Sequence, residues 1–268
     1  HAPDEEGEWP RGAASRYWLH QSLVSLGGSL RERGMRLVLR RGPTRDTLRA
    51  VIAETGARAV FWNRRHDPIG RAQDAAIERA LHADGIEASL HECTLLFNPD
   101  SIRTRQGDPY KVFTQFWRTC LTSDEPPSPL PAPVRLYGPR TWPKSESIHA
   151  LGLDPAMTWT RGIAAAWRFG ETAARERLNR FLDGGLEHYE TGRDAPSDEL
   201  TSRLSPHLHF GEISVRQVWR AVQDTAVHRR CSGAEASIQR FLTELGWREF
   251  AHHLLIHFPN TPTHPLRP

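Results

Sequence analysis

Apolar and polar positions in the first half of the chain predict helices that alternate with strands. Leucines at helical spacing predict an amphipathic helix from Ala13 to about Gly34, where the glycine gives a stop signal. The further elements predicted in this half are strands at 36–40, 58–63 and 86–91 and helices at 45–55 and up to Ala83. Such alternation is typical of a parallel sheet with right-handed crossovers.

The second half begins with a proline-rich segment and then becomes helical. Prolines crowd between Thr122 and Pro143 (DEPPSPLPAPV), which predicts an extended linker. The helices predicted after it lie at 164–181, with Gly184 and Gly185 as the stop, at 214–227 and at 234–257. Ser214 and Gln217 predict a capping box that fixes the start of the middle helix.

The predicted fold class is therefore α/β followed by all-α. A length of 268 residues suits two domains. We predict a Rossmann-like parallel-sheet domain at 1–121, an interdomain linker at 122–160 and part of a helical domain at 161–268. Because the α/β part starts on a helix, we expect that an initial strand is missing.

Composition narrows the class of protein only slightly. A formal charge of +3 and an isoelectric point of about 9 permit nucleic-acid binding without requiring it. Cys93, Cys120 and Cys231 are odd in number and far apart, which favours a reducing compartment over a disulfide framework. Since no apolar run is long enough to cross a bilayer, we expect a cytoplasmic protein without a membrane partner.

The stretch from Thr201 to Ser214 (TSRLSPHLHFGEIS) is a candidate phosphate site. Thr201, Ser202 and Ser205 supply hydroxyl donors and backbone N–H groups of the kind that hold a pyrophosphate at a helix start. Arg203 adds charge there or pairs within the protein. The alternative is that the hydroxyls before Pro206 form a plain turn or a helix cap.

The helix predicted from Ala234 carries two stripes of side chains. The first stripe is Ile238, Leu242, Leu245 and Glu249, and the second is Arg240, Glu244, Trp247, Arg248 and Ala251. A tryptophan flanked by a carboxylate and an arginine suits an extruded base, because the indole stacks on the base and the carboxylate accepts hydrogen bonds from it. The alternative is a core position for Trp247 and an ion pair between Glu244 and Arg248.

Three segments in the second half occur in an order that resembles the DNA photolyase and cryptochrome family. They are HYETGRDAP with Tyr189, TSRLSPHLHFGEIS, and FLTELGWREF. The segments WPRGAASRYWLHQSL, FWNRRHDP and GDPYKVFTQFW are similar to that family's antenna-binding domain. Motifs like WFRRDLR at the start and DAxMR, HNRxRM and WQW at the end are absent, so we expect an internal piece of a longer protein that is inactive alone.

Within this family, the chain most resembles a class I cyclobutane-pyrimidine-dimer photolyase. The resemblance implies reduced FAD as the cofactor, light-driven electron transfer to a flipped-out dimer, UV-damaged DNA as the partner, and a monomer at full length. One alternative is a cryptochrome-type photoreceptor without repair activity. Another is a non-catalytic interaction module, which requires only the folding features.

The resemblance also implies a set of site residues. Glu244 and Trp247 would hold the dimer beside the flavin as catalytic residues, and Arg193 and Arg248 would join them in binding DNA. The residues implied to contact the flavin are Tyr189, Thr201, Ser202, Arg203, Leu204, Ser205, Phe241 and Glu244. From spacing alone, Tyr189 and Arg193 are a half-buried tyrosine and a solvated arginine.

Two smaller questions concern an antenna chromophore and a metal. Asp108 and Tyr110 match a region that binds an antenna in some relatives, and Gln106 would complete that contact. Methenyltetrahydrofolate, 8-hydroxy-deazaflavin or an empty cleft all stay open. The histidine pairs at 207 and 209 and at 253 and 257 have ligand spacing. Because no carboxylate-bearing partner motif accompanies them, we predict no metal site.

Overall fold

A computed structural model describes residues 1–155, 157–195, 197–228 and 234–266. The elements of the first half are a 3-10 turn at Pro3–Glu5, α1 (Ala13–Glu32), α2 (Thr44–Thr55), β1 (Ala59–Asn63), α3 (Pro68–Ala83), β2 (Glu87–His91) and α4 (Phe113–Thr122). Those that follow are a 3-10 turn at His149–Leu151, α5 (Thr160–Ala166), α6 (Glu171–Arg180), a π turn at Phe181–Gly185, α7 (Tyr189–Gly192), α8 (Ser205–His209), α9 (Val215–His228) and α10 (Ala234–His257).

The two strands form the parallel pair that the alternating pattern predicts. The Glu87 N–H donates to the Arg58 carbonyl at 2.9 Å, and the Arg64 N–H donates to the His91 carbonyl at 3.0 Å. The preceding helix α2 ends at Gly56, whose φ of 67° lies in the left-handed region that glycine adopts without strain. The predicted combination of an α/β part and a helical part is confirmed.

The predicted strand at 36–40 is wrong. Its residues run between α1 and α2 without joining the sheet. The Leu39 N–H donates to the Ser145 hydroxyl, and the Leu39 carbonyl accepts from the Glu146 N–H, both at 2.9 Å. A strand needs repeated bonds to a neighbouring strand, and this segment instead pairs with a loop.

The predicted helix at 164–181 is two helices with a break. Trp167 is extended and Gly170 has a φ of 91°. The reason is aromatic packing: Trp167 and Phe169 lie edge-on to Trp18, at centroid distances of 5.3 and 4.8 Å. The helix α6 continues as the π turn, and this helical run ends at Gly185, one of the two predicted stop residues.

The chain divides into two compact units that are each assembled from several stretches. The first contains His1–Phe61, Ala75–Ser89 and Pro131–Arg175, and the second contains Trp62–Asp74, Leu90–Leu130 and Glu176–Pro268. The continuous domains drawn from the sequence at 1–121 and 161–268 stay a prediction. All candidate site residues lie in the second unit, which is built around α10.

Helix α10 has the buried stripe that its sequence predicts. Ile238, Leu242, Leu245 and Glu249 are all at most 7% exposed. Helix α9 begins at the predicted capping box, in which the Ser214 N–H donates to Gln217 Oε1 and the Gln217 N–H donates to Ser214 Oγ. Among the described residues, no helix has the length and apolar character that a bilayer crossing requires.

Candidate functional site

An ion pair joins Arg193 at the end of α7 to Glu244 on α10. Arg193 Nη1 donates to Glu244 Oε1, and this hydrogen bond is the main reason that the pKa of Arg193 is raised. Arg240 Nε lies 4.0 Å from the same carboxylate oxygen. Helix α7 is fixed on α10 by Ser237, whose Oγ accepts from the Glu190 N–H at 3.1 Å. Two guanidinium groups therefore surround one half-exposed carboxylate.

Trp247 lies one turn beyond Glu244 and is 46% exposed. Its ring stacks on Phe113 with a centroid distance of 3.6 Å and an interplanar angle of 11°. Phe113 therefore covers one face of the indole, and Phe250 lies edge-on to it at 6.0 Å. An exposed tryptophan backed by a second ring is a platform on which a base can stack.

The core alternative for this stripe is wrong in both parts. Trp247 is exposed, and Glu244 pairs with Arg193 instead of Arg248. Arg248 Nη1 donates to the Thr94 carbonyl at 2.8 Å and lies 3.4 Å from Glu249 Oε1. The guanidinium of Arg248 is therefore held within the protein, while its implied role in binding DNA stays a prediction.

Tyr189 and Phe241, both implied to contact a flavin, meet in one aromatic cluster with Phe181. The Tyr189 and Phe241 rings are perpendicular at 5.2 Å, and Phe181 lies 4.7 Å from Phe241. Burial raises the pKa of the Tyr189 hydroxyl. The Arg193 guanidinium lies 5.7 Å from the Tyr189 ring centroid, which links this cluster to the ion pair.

The hydroxyl segment from Thr201 to Ser205 lies between α7 and α8. Thr201 and Ser205 are exposed, whereas Leu204 is buried and anchors the segment. Arg203 has a φ of 50°, a left-handed conformation that costs a non-glycine residue roughly 1–3 kcal/mol and is enriched at functional sites. Its side chain forms an ion pair with Glu199 at 3.3 Å, which is the pairing within the protein that the sequence left open.

A second arginine lies near this segment. Burial lowers the pKa of Arg177, and the charges of Arg203 and Arg180 lower it further. Exposed hydroxyls beside clustered guanidinium groups suit an anion such as a pyrophosphate. The alternative of a helix cap is wrong, because the N-cap residue of the short helix α8 is Leu204 and no side chain caps the helix, although Pro206 does lie in its first turn.

The histidine pairs have hydrogen-bonding and packing partners. His207 Nδ1 is paired with the buried carboxylate of Glu212. His253 Nε2 accepts from the Tyr110 N–H at 3.0 Å, and burial lowers the pKa of His253 to about 4. Among the described residues, no group of three or more His, Cys, Asp or Glu side chains has an arrangement that suits a metal ion.

Gln106 and Asp108 are exposed in a turn after β2. The turn is closed by the Thr104 N–H, which donates to the Asp108 carbonyl at 2.9 Å, and by Gly107 with a φ of 88°. Their implied contact with an antenna stays a prediction.

The sequence does not predict the contribution of three residues to the candidate site. Phe113 lies within the quoted segment GDPYKVFTQFW, but nothing in its pattern indicates that it backs Trp247. Arg177 lies on a polar helix face that looks solvated. The helical spacing predicts that Glu249 is buried but not that it binds the Leu96 and Phe97 N–H groups, and burial raises its pKa to about 7.

Comparison with known proteins relates the chain to DNA photolyases and cryptochromes. Residues 1–134 match the DNA photolyase family. The chain is 44% identical to a deoxyribodipyrimidine photo-lyase of Agrobacterium fabrum, over 95% of this chain and 53% of that protein. It is 33% identical to cryptochrome-1 of Arabidopsis thaliana, over 99% of this chain and 40% of that protein.

Solved structures agree with this placement. A bacterial class III photolyase from Agrobacterium tumefaciens superposes with a TM-score of 0.90 at 43% identity, over 96% of this chain and 53% of that one. An archaeal photolyase from Sulfolobus tokodaii with two FAD molecules shares the fold, with a TM-score of 0.71 at 21% identity and coverage of 98% and 53%. The chain thus spans about half the length of the photolyases named here.

Proposed function

The chain belongs to the DNA photolyase family, and from that premise we propose that its gene product repairs cyclobutane pyrimidine dimers in DNA with light and a bound flavin. The observation that carries this proposal is the exposed side chain of Trp247, backed by Phe113 and one helical turn from the carboxylate of Glu244. This arrangement suits a base that has left the DNA stack. The repair activity is proposed for the whole gene product and not for the 268 residues by themselves.

The described residues fit FAD as the cofactor. The hydroxyls of Thr201, Ser202 and Ser205, with the backbone of Arg203 and Leu204, would hold the pyrophosphate, and Arg177 adds charge nearby. The cluster of Tyr189 and Phe241 would form an aromatic wall. When bound, reduced FAD supplies the electron that splits the dimer and recovers it afterwards.

The side chains of this site bind and orient the lesion. Trp247 stacks on the extruded base, and the Glu244 carboxylate accepts hydrogen bonds from its N–H groups. A carboxylate has two oxygens with several acceptor positions. Glu244 can therefore accept from the base while Oε1 keeps Arg193, which in turn faces a DNA phosphate.

The comparisons favour class III over the class I assignment expected from the motifs. The superposing Agrobacterium tumefaciens structure is described as class III, and its identity with this chain is 43%. We therefore propose a class III photolyase that acts on DNA in the cytoplasm as a monomer. An antenna at Gln106 and Asp108, either methenyltetrahydrofolate or 8-hydroxy-deazaflavin, stays part of the proposal.

A photoreceptor without repair activity is the second candidate. The observation that favours it is the 33% identity to cryptochrome-1 over 99% of this chain. Both functions require the flavin, so they differ in what the face around Trp247 and Glu244 does.

The test is light-dependent repair by the purified gene product. We expect it to retain FAD and to restore a dimer-containing oligonucleotide under blue light but not in darkness. Trp247→Ala should weaken binding of that oligonucleotide, while Trp9→Ala, at another exposed tryptophan, should not. Flavin retention without repair would support the photoreceptor, and absence of flavin would overturn both candidates.

A further inference from the structure

The segment Thr94–Phe97 is held by three side chains of the helical part. Arg248 Nη1 donates to the Thr94 carbonyl at 2.8 Å, and Arg216 Nε donates to the Leu95 carbonyl at 3.2 Å. Glu249 Oε2 accepts from the N–H groups of Leu96 and Phe97 at 2.8 and 3.4 Å. Two carbonyls and two N–H groups on consecutive residues are thus paired with side chains rather than with another backbone.

The backbone of Thr94–Phe97 is irregular and mostly buried, so its N–H and carbonyl groups need hydrogen-bonding partners other than water. Leu95, Leu96 and Phe97 are at most 8% exposed, yet they belong to neither a helix nor a strand. A buried backbone group without a partner costs roughly 1–3 kcal/mol. The two arginines and the glutamate therefore supply the hydrogen bonds that a neighbouring strand or a turn would ordinarily give to this backbone.

The held segment supports the platform under Trp247 through a chain of rings. Phe97 lies edge-on to Trp117 at 6.4 Å, and Trp117 is parallel to Phe113 at the same centroid distance. Trp117 also packs on α10 at Gly246, where a Cβ would approach its ring to 2.7 Å. Phe113 completes the chain by stacking on Trp247.

We infer that Arg248, Glu249 and Arg216 form a clamp on Thr94–Phe97 that positions Trp247, and that Arg248 does not contact DNA. The clamp itself rests only on these contacts, whereas its consequence for lesion binding rests on the proposed function. This assignment reverses the DNA-binding role that the family resemblance implies for Arg248. In this assignment, α10 binds the lesion through Glu244 and Trp247, and through Arg248 and Glu249 it holds the segment that supports Trp247.

Two variants of Arg248 separate the clamp from a phosphate contact. Arg248→Met removes the donors and the charge but keeps a long side chain, and Arg248→Lys keeps the charge and a smaller donor group. The matched control is Arg220→Met, which removes an exposed arginine paired with Asp224 on α9. All three are compared with the parent gene product by melting temperature, amide hydrogen exchange and DNA affinity across a salt series.

For the clamp, Arg248→Met should lower the melting temperature and speed amide exchange of Leu96 and Phe97 at least about tenfold. Arg248→Lys should recover most of both losses. Dimer affinity should fall with Arg248→Met while the slope of log affinity against log salt stays unchanged, because no phosphate contact is lost.

The opposite pattern would overturn the clamp. A phosphate contact predicts that Arg248→Met reduces the salt slope by about 0.9 and leaves melting and amide exchange as in Arg220→Met. If the parent bound no DNA, the proposed function would fail, and the melting and exchange measurements would still decide the clamp.

Discussion

Glu244 and Glu249 lie on the same helix and differ in almost every physical respect. Glu244 is half-exposed and pairs with two arginines that reach it from the surface. Glu249 is 3% exposed and binds the backbone of a distant segment. The comparison shows that one helix carries a partly exposed carboxylate on one face and, on the other, a buried carboxylate that holds a loop.

The largest expected difference between them is in stability. Glu249→Ala should lower the free energy of unfolding by about 3 kcal/mol, because it leaves two buried N–H groups without an acceptor and Arg248 without the carboxylate that neutralises its charge. Glu244→Ala should cost less than about 1 kcal/mol, as is usual for ion pairs near the surface. Urea unfolding measures both, with Glu235→Ala at an exposed position of α10 as the control.

Equal losses of unfolding free energy in the two variants would contradict the proposed difference between Glu244 and Glu249. A large loss for Glu244→Ala would mean that its pair with Arg193 is a structural bridge between α7 and α10. A small loss for Glu249→Ala would mean that water replaces the clamp.

The next effect is expected in lesion binding. Trp247→Ala should weaken affinity for a dimer-containing oligonucleotide by about 1–3 kcal/mol, the usual loss for a stacking platform. Phe113→Leu should weaken it less, because the indole stays but loses the ring behind it. The measurement is a titration in darkness, and parent-like affinity in Trp247→Ala would identify the exposed indole as an incidental surface residue.

A smaller effect is expected at Arg193. If Arg193 faces a phosphate in the complex, Arg193→Gln should reduce the slope of log affinity against log salt by about 0.9. Its unfolding free energy should change by less than about 1 kcal/mol. An unchanged slope, as expected for Arg220→Gln, would show that Arg193 does not contact a phosphate and is only the ion-pair partner of Glu244.

The subtlest effect is the pH dependence of stability. Burial raises the pKa of Glu249 from 4.5 to about 7, although Arg248, Arg216 and two backbone N–H groups oppose the shift. The folded state therefore binds a proton more tightly than the unfolded state. The stability from this proton is present below about pH 4.5 and is lost as pH rises to about 7.

Melting temperatures of the parent and Glu249→Gln between pH 5 and 8 test this sign. The parent should lose more stability than the variant as pH rises. Contributions from His253, whose folded pKa is lowered to about 4, give the opposite slope but cancel in the difference. A parent that gains stability relative to the variant would show that Glu249 is ionised throughout.

Local features of α10 and α9 could be predicted from sequence because their causes are local. Helical spacing separates the buried stripe of α10 from the stripe of Glu244 and Trp247. Ser214 and Gln217 predict the start of α9. The family motifs added the roles proposed for these residues. No part of this required knowledge of distant contacts.

Features that depend on distant segments could not be predicted. Glu249 bonds to residues 153 and 152 positions away, and Arg193 meets Glu244 across 51 positions. The false strand at 36–40 has the same cause, because its apolar pattern is strand-like but its neighbour is a loop. The helix predicted at 164–181 is interrupted near Gly170, where Trp167 and Phe169 pack on Trp18 of α1.

The central claim is that the outward face of α10 holds a flipped pyrimidine dimer, and repair per absorbed photon in Glu244→Ala tests it most directly. The parent gene product and the variant are compared at matched FAD occupancy, with Glu235→Ala as the control. Because a hydrogen bond to a charged group is worth about 1.5–3 kcal/mol, we predict that Glu244→Ala retains flavin but loses most of its repair yield. Repair by Glu244→Ala at the yield of the parent would contradict the account.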